Sequence, residues 1–279
     1  MGRSFCSLLI ALSAILAGCT AQNNTLSPSD RTANITDMAK HAGWQRKDLK
    51  AGEFILASFS PSQLSESNTL TVYIEGDGLA WQSSYRPSED PTPINPVALK
   101  LALTDNHPAI IYLGRPCQYQ AHPNCTSDYW LSKRFAPEVV QGYQDVLNTI
   151  KEKNHQLQFV LIGFSGGGAI ATLLAEQRND IKLLVTVAGN LDHQYWTEQH
   201  NITPLTGSMN PVDYCGALRN TRQIHFIGEN DTIITSETSS KFFNCIGSTD
   251  NITIRNIQNF DHHCCWENQW PQLQLEFSY

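Results

Sequence analysis

Short apolar segments alternate along the chain with longer segments in which apolar and polar positions are mixed. The apolar runs, several rich in β-branched residues, predict strands over residues 54–59, 69–75, 109–113, 157–162, 181–188, 223–227 and 251–257. Helices are predicted over residues 93–103, 137–153, 168–178, 236–245 and 266–273. Continuous apolar strands joined by helices are typical of a largely parallel sheet covered on both faces. Because no internal repeat or interdomain linker interrupts this alternation, the sequence predicts one α/β domain.

The N-terminal residues have the pattern of an export signal. Arg3 precedes an apolar run over residues 8–17, which is shorter than the ~20 residues a membrane-spanning helix needs. The run ends in Leu16-Ala17-Gly18-Cys19, which resembles the lipobox of bacterial lipoproteins. This resemblance implies cleavage before Cys19, acylation of that cysteine and attachment to a lipid bilayer of the cell envelope. By the same resemblance, Thr20 in place of Asp after the cysteine would favour the outer membrane in a Gram-negative host. The alternative is an ordinary cleaved signal peptide.

Residues 20–36 are rich in Asn, Ser and Thr and predict a solvated tether without packed structure. The predicted organisation therefore has three parts. Residues 1–18 form a lipoprotein signal peptide, 19–50 a lipid-anchored tether and N-terminal lead-in, and 51–279 the folded domain.

Charge and composition narrow the classes of function. Hydrophobic residues make up 41% of the chain, which is enough for a sizeable core. The 19 basic residues against 26 acidic residues give a net charge of −7, and no basic run is present, so we expect no nucleic-acid partner. His262-His263-Cys264-Cys265 could suggest zinc, but four consecutive residues in extended chain point to alternate faces and cannot surround one ion.

The cysteines beyond Cys19 predict disulfide bridges, because an even number in an exported chain is typical of bridged proteins. These cysteines are Cys117, Cys125, Cys215, Cys245, Cys264 and Cys265. Cys117 and Cys125 lie in one proline-containing loop, so we expect them to pair. Neighbouring cysteines rarely bond to each other, and therefore Cys215 and Cys245 are each expected to take one of Cys264 and Cys265.

Gly163-Phe164-Ser165-Gly166-Gly167 fits the pattern G-x-S-x-G and lies between a predicted strand and a predicted helix. The small residues allow a turn so tight that the serine hydroxyl is exposed at its tip. The motif and its setting resemble the nucleophile elbow of the α/β-hydrolase superfamily. The resemblance covers about residues 54–279 and implies the α/β-hydrolase fold, with Ser165 as nucleophile and the Gly166 amide as an oxyanion donor.

In that superfamily the acid and then the histidine follow the serine along the chain, on loops after later strands. Asp231 follows the strand that ends at Ile227 and is the expected acid, with Glu229 as the alternative. Phe260-Asp261-His262-His263 follows the last strand. His262 is favoured as the base, and His263 is the other choice.

A second oxyanion donor is expected from the turn after an early strand. Tyr73-Ile74-Glu75-Gly76-Asp77-Gly78 resembles the His-Gly-Gly turn of lipases and esterases, with Glu75 in place of the histidine. The amide of Asp77, or failing that of Gly78, would be the donor.

Together these residues predict a serine hydrolase that cleaves a small carboxylic ester through an acyl-enzyme and needs no metal or cofactor. A peptidase of the same fold is one alternative. A binding lipoprotein without catalysis is another, suggested by Glu75. Aromatic residues in loops after strands either line an acyl cleft or anchor those loops: Trp81, Tyr85, Trp130, Tyr195 and Trp196.

Overall fold

The computed structural model describes residues 26–64, 66–247 and 250–277. Its centre is a sheet of eight strands: β1 (Trp44–Ala51), β2 (Phe54–Pro61), β3 (Thr69–Ile74), β6 (Ile110–Leu113), β7 (Gln158–Phe164), β8 (Ile181–Val187), β9 (Gln223–Gly228) and β10 (Ile252–Ile257). They lie side by side in the order β1-β2-β6-β3-β7-β8-β9-β10. Neighbours pair in parallel from β6 to β10, whereas β2 runs antiparallel to both of its neighbours. The prediction of a mostly parallel sheet is confirmed.

Helices cover both faces of this sheet, and each face has its own apolar core. One face is covered by α3 (Pro137–Lys151), α4 (Gly166–Gln177) and α6 (Ser240–Ile246). The other face is covered by α1 (Pro28–His41), α2 (Val97–Thr104) and α7 (Trp266–Leu273). Besides short 3-10 helices, the described residues also contain α5 (His193–Gln199) and a hairpin of β4 (Trp81–Ser83) and β5 (Arg86–Pro87). No helix in the described ranges is long and apolar enough to cross a membrane.

The N-terminal part of the domain differs from the prediction. The expected solvated tether over residues 20–36 is wrong from residue 28 onward, because α1 forms there and buries Arg31, Ile35 and Ala39. Ser27 and Asp30 cap the helix reciprocally, and the buried residues recur every fourth position on one face. β1 then pairs with β2 along its whole length. The folded domain therefore begins before residue 51, while the predicted signal and Cys19 lie outside the described residues.

The disulfides follow the prediction only in part. Cys117 pairs with Cys125 across a Cα–Cα distance of 5.5 Å, as expected. The other expected pairings are wrong, since Cys215 pairs with Cys245 and Cys264 with Cys265. The physical reason is that the two groups of cysteines lie on opposite faces of the sheet. Cys215 and Cys245 belong to the core beneath α6, whereas the two neighbouring cysteines lead into α7 on the opposite face of the sheet.

Candidate active site

Ser165 occupies a sharp turn between β7 and α4, at the carboxyl edge of the sheet. Its φ of 51° and ψ of −118° lie in a strained region for a residue with a side chain. The turn is held because the Ser165 amide donates to the Val187 carbonyl at 2.9 Å. A side chain at Gly163 would collide with the Gly167 backbone, which explains the small residues of the motif. The geometry exposes the hydroxyl at the tip of the strand.

A chain of hydrogen bonds connects Ser165 to His262 and Asp231. The His262 Nδ1 donates to Asp231 Oδ2 at 2.8 Å, and the Ser165 hydroxyl donates to His262 Nε2 at 3.0 Å. Asp231 is buried, and its other carboxylate oxygen accepts the amides of Ile233 and Ile234, both at 2.8 Å. The three residues selected from the sequence are therefore brought together, and Asp231 fixes the ring that faces the serine.

The alternative residues lie elsewhere. His263 is exposed, and its ring stands almost perpendicular to that of His262, with 5.0 Å between the ring centres. Although the residue as a whole is exposed, desolvation of the ring where it faces the protein, together with the neighbouring His262, lowers the pKa of His263. Glu229 is exposed two residues before Asp231, and the carboxylate at hydrogen-bond distance from His262 Nδ1 is that of Asp231. Asp261 orders the histidine loop by accepting the amides of His263 and Cys264 at 2.8 and 2.7 Å.

The turn after β3 lies directly beside the serine turn. A side chain at Gly166 would collide with the carboxylate of Asp77, so the two turns are in contact. Among the described residues, none accepts the backbone N–H of Asp77 or of Gly166, whereas the N–H of Gly76 is engaged by Glu75. Gly78 has a positive φ of 66° and fits against the Pro91 carbonyl without room for a side chain. Both amides therefore belong to turns that contact each other beside Ser165.

Two buried arginines hold the carboxylate of Asp77. Arg115 Nη1 lies 3.0 Å from Asp77 Oδ1, and Arg134 Nη1 lies 2.6 Å from Asp77 Oδ2. Arg115 also donates to the Arg134 carbonyl. Burial alone would raise the pKa of Asp77, but the guanidinium groups of Arg134 and Arg115 hold it below its ordinary value. Neither arginine was selected from the sequence. Both lie near the ends of the long loop 114–136, and this placement was the one sequence feature that could have pointed to them.

Glu75 stabilises the turn after β3 through hydrogen bonds to its buried carboxylate. Its carboxylate is 1% exposed and accepts the amides of Gly76 at 3.0 Å, Ala98 at 3.2 Å and Leu99 at 3.4 Å. The Tyr112 hydroxyl also donates to it at 3.1 Å. Burial raises the pKa of Glu75 to about 7, against the opposing effect of these donors. The residue that replaces the expected histidine therefore joins the turn to the first residues of α2.

A cleft of about 310 Å³ opens in front of Ser165. Its walls are the turn 75–79, the segment 93–95, Phe164 and the two histidines. None of the five aromatic residues considered for an acyl cleft lines it. Trp130 instead packs on the Cys117–Cys125 bridge and donates to the Ser88 carbonyl at 3.0 Å, so it anchors its loop.

Solved structures with the same fold include hydrolases from several organisms. An alpha-beta serine hydrolase homologue from Coxiella burnetii is 14% identical, with a TM-score of 0.57 over 83% of this chain and 94% of the other. The esterase Pf2001 from Pyrococcus furiosus is 12% identical, with a TM-score of 0.60 over 85% and 92%. A puromycin-hydrolyzing peptidase from Mycobacterium tuberculosis is 12% identical, with a TM-score of 0.53 over 78% and 36%. These matches confirm the α/β-hydrolase fold.

Sequence comparison identifies the family. No curated protein matches the chain. The family model described as serine hydrolase (FSH1) matches residues 116–262, which is more than half of the 279 residues. The matched segment runs from the disulfide loop to His262 and includes the serine turn. The chain belongs to the serine hydrolase (FSH1) family.

Proposed function

We propose that the protein hydrolyses a carboxylic ester through an acyl-enzyme on Ser165. The observation that carries this proposal is the hydrogen-bonded chain from Asp231 through His262 to Ser165. A serine hydroxyl becomes a competent nucleophile when a base is within hydrogen-bond reach and that base is oriented by a third group. The unused amides of Gly166 and Asp77 add the donors that an oxyanion requires.

The reaction proceeds in two halves. In the first, Ser165 Oγ bonds to the ester carbonyl carbon while its proton passes to His262 Nε2, and the carbonyl electrons move to the oxygen facing Gly166 and Asp77. The C–O bond to the alcohol then breaks, and His262 returns the proton to the leaving oxygen. In the second half, water attacks the acyl-enzyme with His262 as base, and the acid leaves as Ser165 recovers its proton. Asp231 keeps the ring oriented throughout.

A fluorophosphonate probe tests the proposal directly, because an activated serine displaces its fluoride and becomes phosphonylated. The wild type should be labelled, and Ser165→Ala should not be labelled. Ser208 offers a matched control because its hydroxyl donates to the Ser132 carbonyl, away from His262. Ser208→Ala should therefore be labelled like the wild type. Absent wild-type labelling, or equal labelling of Ser165→Ala, would favour a binding protein that retains the fold.

Substrate class is tested by comparing p-nitrophenyl esters of increasing acyl length with matched peptide amides. We expect turnover of the esters, since a cleft of about 310 Å³ accommodates a small acyl group. Turnover of the amides in preference to the esters would instead assign the chain to the peptidases.

We also propose that the chain is exported and anchored in the cell envelope through acylated Cys19. The lipobox-like segment supports this, and so does the placement of cysteines in three disulfide pairs, which persist in oxidising compartments. Mass spectrometry of the mature N-terminus should find a diacylglyceryl cysteine at residue 19. Cys19→Ser should release the protein from the membrane fraction, and an unmodified Cys19 would contradict the proposal.

A further inference from the structure

The hairpin of β4 and β5 presents aromatic side chains to solvent at the carboxyl edge of the sheet. It follows directly after the turn that carries Asp77. Trp81 is 41% exposed, and Tyr85 in the connecting turn is 86% exposed. Exposed aromatic residues next to a cleft are typical of a surface that contacts an apolar partner. We refer to residues 81–87 as the aromatic hairpin.

Two more exposed apolar side chains lie near the cleft. Ile94 lines the cleft and is 56% exposed, and Ile233 follows Asp231 and is 37% exposed. Ile94 comes from the segment before α2 and Ile233 from the loop of Asp231, so two further loops at this edge of the sheet carry an exposed apolar side chain.

The N-terminal end of the domain meets this same edge. Arg31 in the first turns of α1 donates to the Leu26 carbonyl at 3.0 Å and to the Asp90 carbonyl at 3.1 Å. Its guanidinium also lies 3.2 Å from the Asp90 carboxylate. Asp90 follows the aromatic hairpin by three residues. The chain thus enters the folded domain beside the base of the hairpin.

The length of chain before Leu26 limits how far this edge can lie from an anchor at Cys19. Seven residue steps separate Cys19 from Leu26. At roughly 3.5 Å per residue a fully extended chain of that length spans about 25 Å. An acylated Cys19 would therefore keep the catalytic edge close to the bilayer surface.

We propose that the aromatic hairpin, together with Ile94, is a lipid-contact surface that turns the mouth of the cleft toward the bilayer. Trp81 and Tyr85 suit the interface between headgroups and acyl chains, where Trp and Tyr rings are favoured. Esters presented at the membrane then enter the cleft from the membrane side. The docking rests on the proposed anchor at Cys19, and the entry of esters rests on the proposed hydrolase function.

The contact depends on apolar surface and not on charge. The chain has a net charge of −7, and Arg86, the one basic residue of the aromatic hairpin, lies 3.7 Å from Glu89, so the hairpin itself offers no basic patch to anionic lipids. Adhesion through aromatic rings should consequently persist at high salt, where electrostatic attachment weakens.

A fluorescence experiment tests the docking without using enzymatic activity. Acylated Ser165→Ala protein is extracted from membranes and reconstituted into vesicles of phosphatidylethanolamine and phosphatidylglycerol that carry a nitroxide near the headgroup end of the acyl chain. Lipid-dependent quenching of tryptophan fluorescence should be present and should be largely lost in the additional variant Trp81→Phe. Trp196 is half-buried, and Trp196→Phe should retain the quenching. Recovery of the protein only in the soluble fraction, or quenching unchanged in Trp81→Phe, would overturn the proposal.

A second experiment tests the consequence for substrate. The double variant Trp81→Ser, Tyr85→Ser should hydrolyse a long-chain ester in vesicles roughly tenfold more slowly than the wild type. Its rate on dissolved p-nitrophenyl acetate should stay within about twofold. Leu275→Ser, at a 72% exposed position near the C-terminus, is the matched control and should change neither rate. Equal losses on both esters would contradict a lipid contact. Absence of turnover by the wild type on either ester would contradict the hydrolase, and the fluorescence result would still decide the docking.

Discussion

The two sides of the cleft are held in place by different forces. On the triad side, Ser165, His262 and Asp231 are joined by two hydrogen bonds, and each residue follows the end of a strand. On the turn side, Asp77 and Glu75 are buried carboxyl groups held by arginines, a tyrosine and backbone amides. The triad side therefore depends on the local course of three loops, whereas the turn side depends on buried charge.

This difference affects how each side responds to change. The arginines that hold Asp77 lie 38 and 57 residues away along the chain. Removing one partner of a buried ion pair leaves an uncompensated charge, which costs about 3–5 kcal/mol. Substitutions on the turn side should thus reduce stability and activity together, while substitutions on the triad side should reduce activity alone.

The largest effect is expected on the triad side. Ser165→Ala and His262→Ala should each lower kcat by about 10⁴–10⁶-fold, because the three residues act as a unit. The double variant should be no worse than the more damaged single variant, and melting temperatures should stay near that of the wild type. Steady-state ester kinetics with thermal melts check this. A fully impaired His263→Ala beside an active His262→Ala would reverse the assignment of the base.

The next largest effect is expected for Arg134→Met on the turn side. It leaves Asp77 paired only with Arg115, so the turn should loosen and kcat should fall by about 10–100-fold. Because Arg115 still compensates the carboxylate, the free energy of unfolding should fall by less than the about 3–5 kcal/mol expected for an unpaired buried charge. Arg178→Met is the matched control, because Arg178 pairs with Asp180 at 2.7 Å away from the cleft. It should lower stability and leave kcat unchanged. An unchanged kcat in Arg134→Met would show that the two sides are not coupled through Asp77.

Glu75→Gln tests how much Glu75 contributes to the pH dependence of the free energy of unfolding. The folded-state pKa of Glu75 is about 7 against an ordinary value of 4.5, so the folded protein retains a proton that the unfolded chain has lost. The stabilisation from this group is complete below about pH 4.5 and decreases as the pH rises to about 7. The stability of the wild type relative to Glu75→Gln should therefore fall across that window, as measured by urea unfolding at several pH values.

The same variant should lower kcat by about tenfold, because an amide nitrogen cannot accept from the amides that Glu75 engages. Glu176→Gln is the control, since Glu176 is a buried carboxyl between α3 and α4 whose pKa burial raises to about 9. It should change the pH dependence of stability up to about pH 9 and leave kcat as it is. A flat stability difference for Glu75→Gln would mean that Glu75 does not change its charge in this range.

The smallest effect on activity is expected for the double variant Cys117→Ser, Cys125→Ser. The bridge closes a short ring inside the loop that carries Arg115 and Arg134, so its loss should lower kcat only a few fold. The free energy of unfolding should fall by roughly 2–3 kcal/mol in the loop-entropy description. Cys215→Ser with Cys245→Ser opens a 30-residue separation and should cost roughly 3–4 kcal/mol with no change in kcat. Equal kcat losses in both double variants would argue against a local effect.

The sequence predicts those parts of the fold that depend on residues close together in the chain. The strands β7 and β8 are mostly apolar and buried, so their sequences predict them directly. The serine motif lies between a strand and a helix, so its position follows from its immediate neighbours in the chain. In α1, by contrast, only three positions are buried, and the polar residues between them resemble a solvated linker. The burial of Arg31 on this helix also depends on Asp90, a partner 59 residues away along the chain.

The same limit applies to the site. The positions of Asp231 and His262 follow from strand ends and chain order, and the structure brings both to Ser165. The pairing of Asp77 with Arg115 and Arg134 has no local pattern, because it depends on how a 23-residue loop from 114 to 136 folds back over the turn. The predicted pairing of Cys215 and Cys245 with Cys264 and Cys265 was wrong for the same reason, because spacing along the chain does not reveal which face of the sheet a cysteine occupies.

The backbone conformation of Ser165 makes enzymatic activity a reporter of the folded state. Holding a residue with a side chain at φ 51° costs about 1–3 kcal/mol, which the bonds from its amide to Val187 and from Gly168 and Asn190 to its carbonyl oppose. When β8 and α4 separate, those bonds are lost and the serine relaxes to an ordinary conformation. Loss of activity in denaturant should therefore coincide with unfolding of the central sheet, so that a simple ester assay measures the fraction of molecules that are folded.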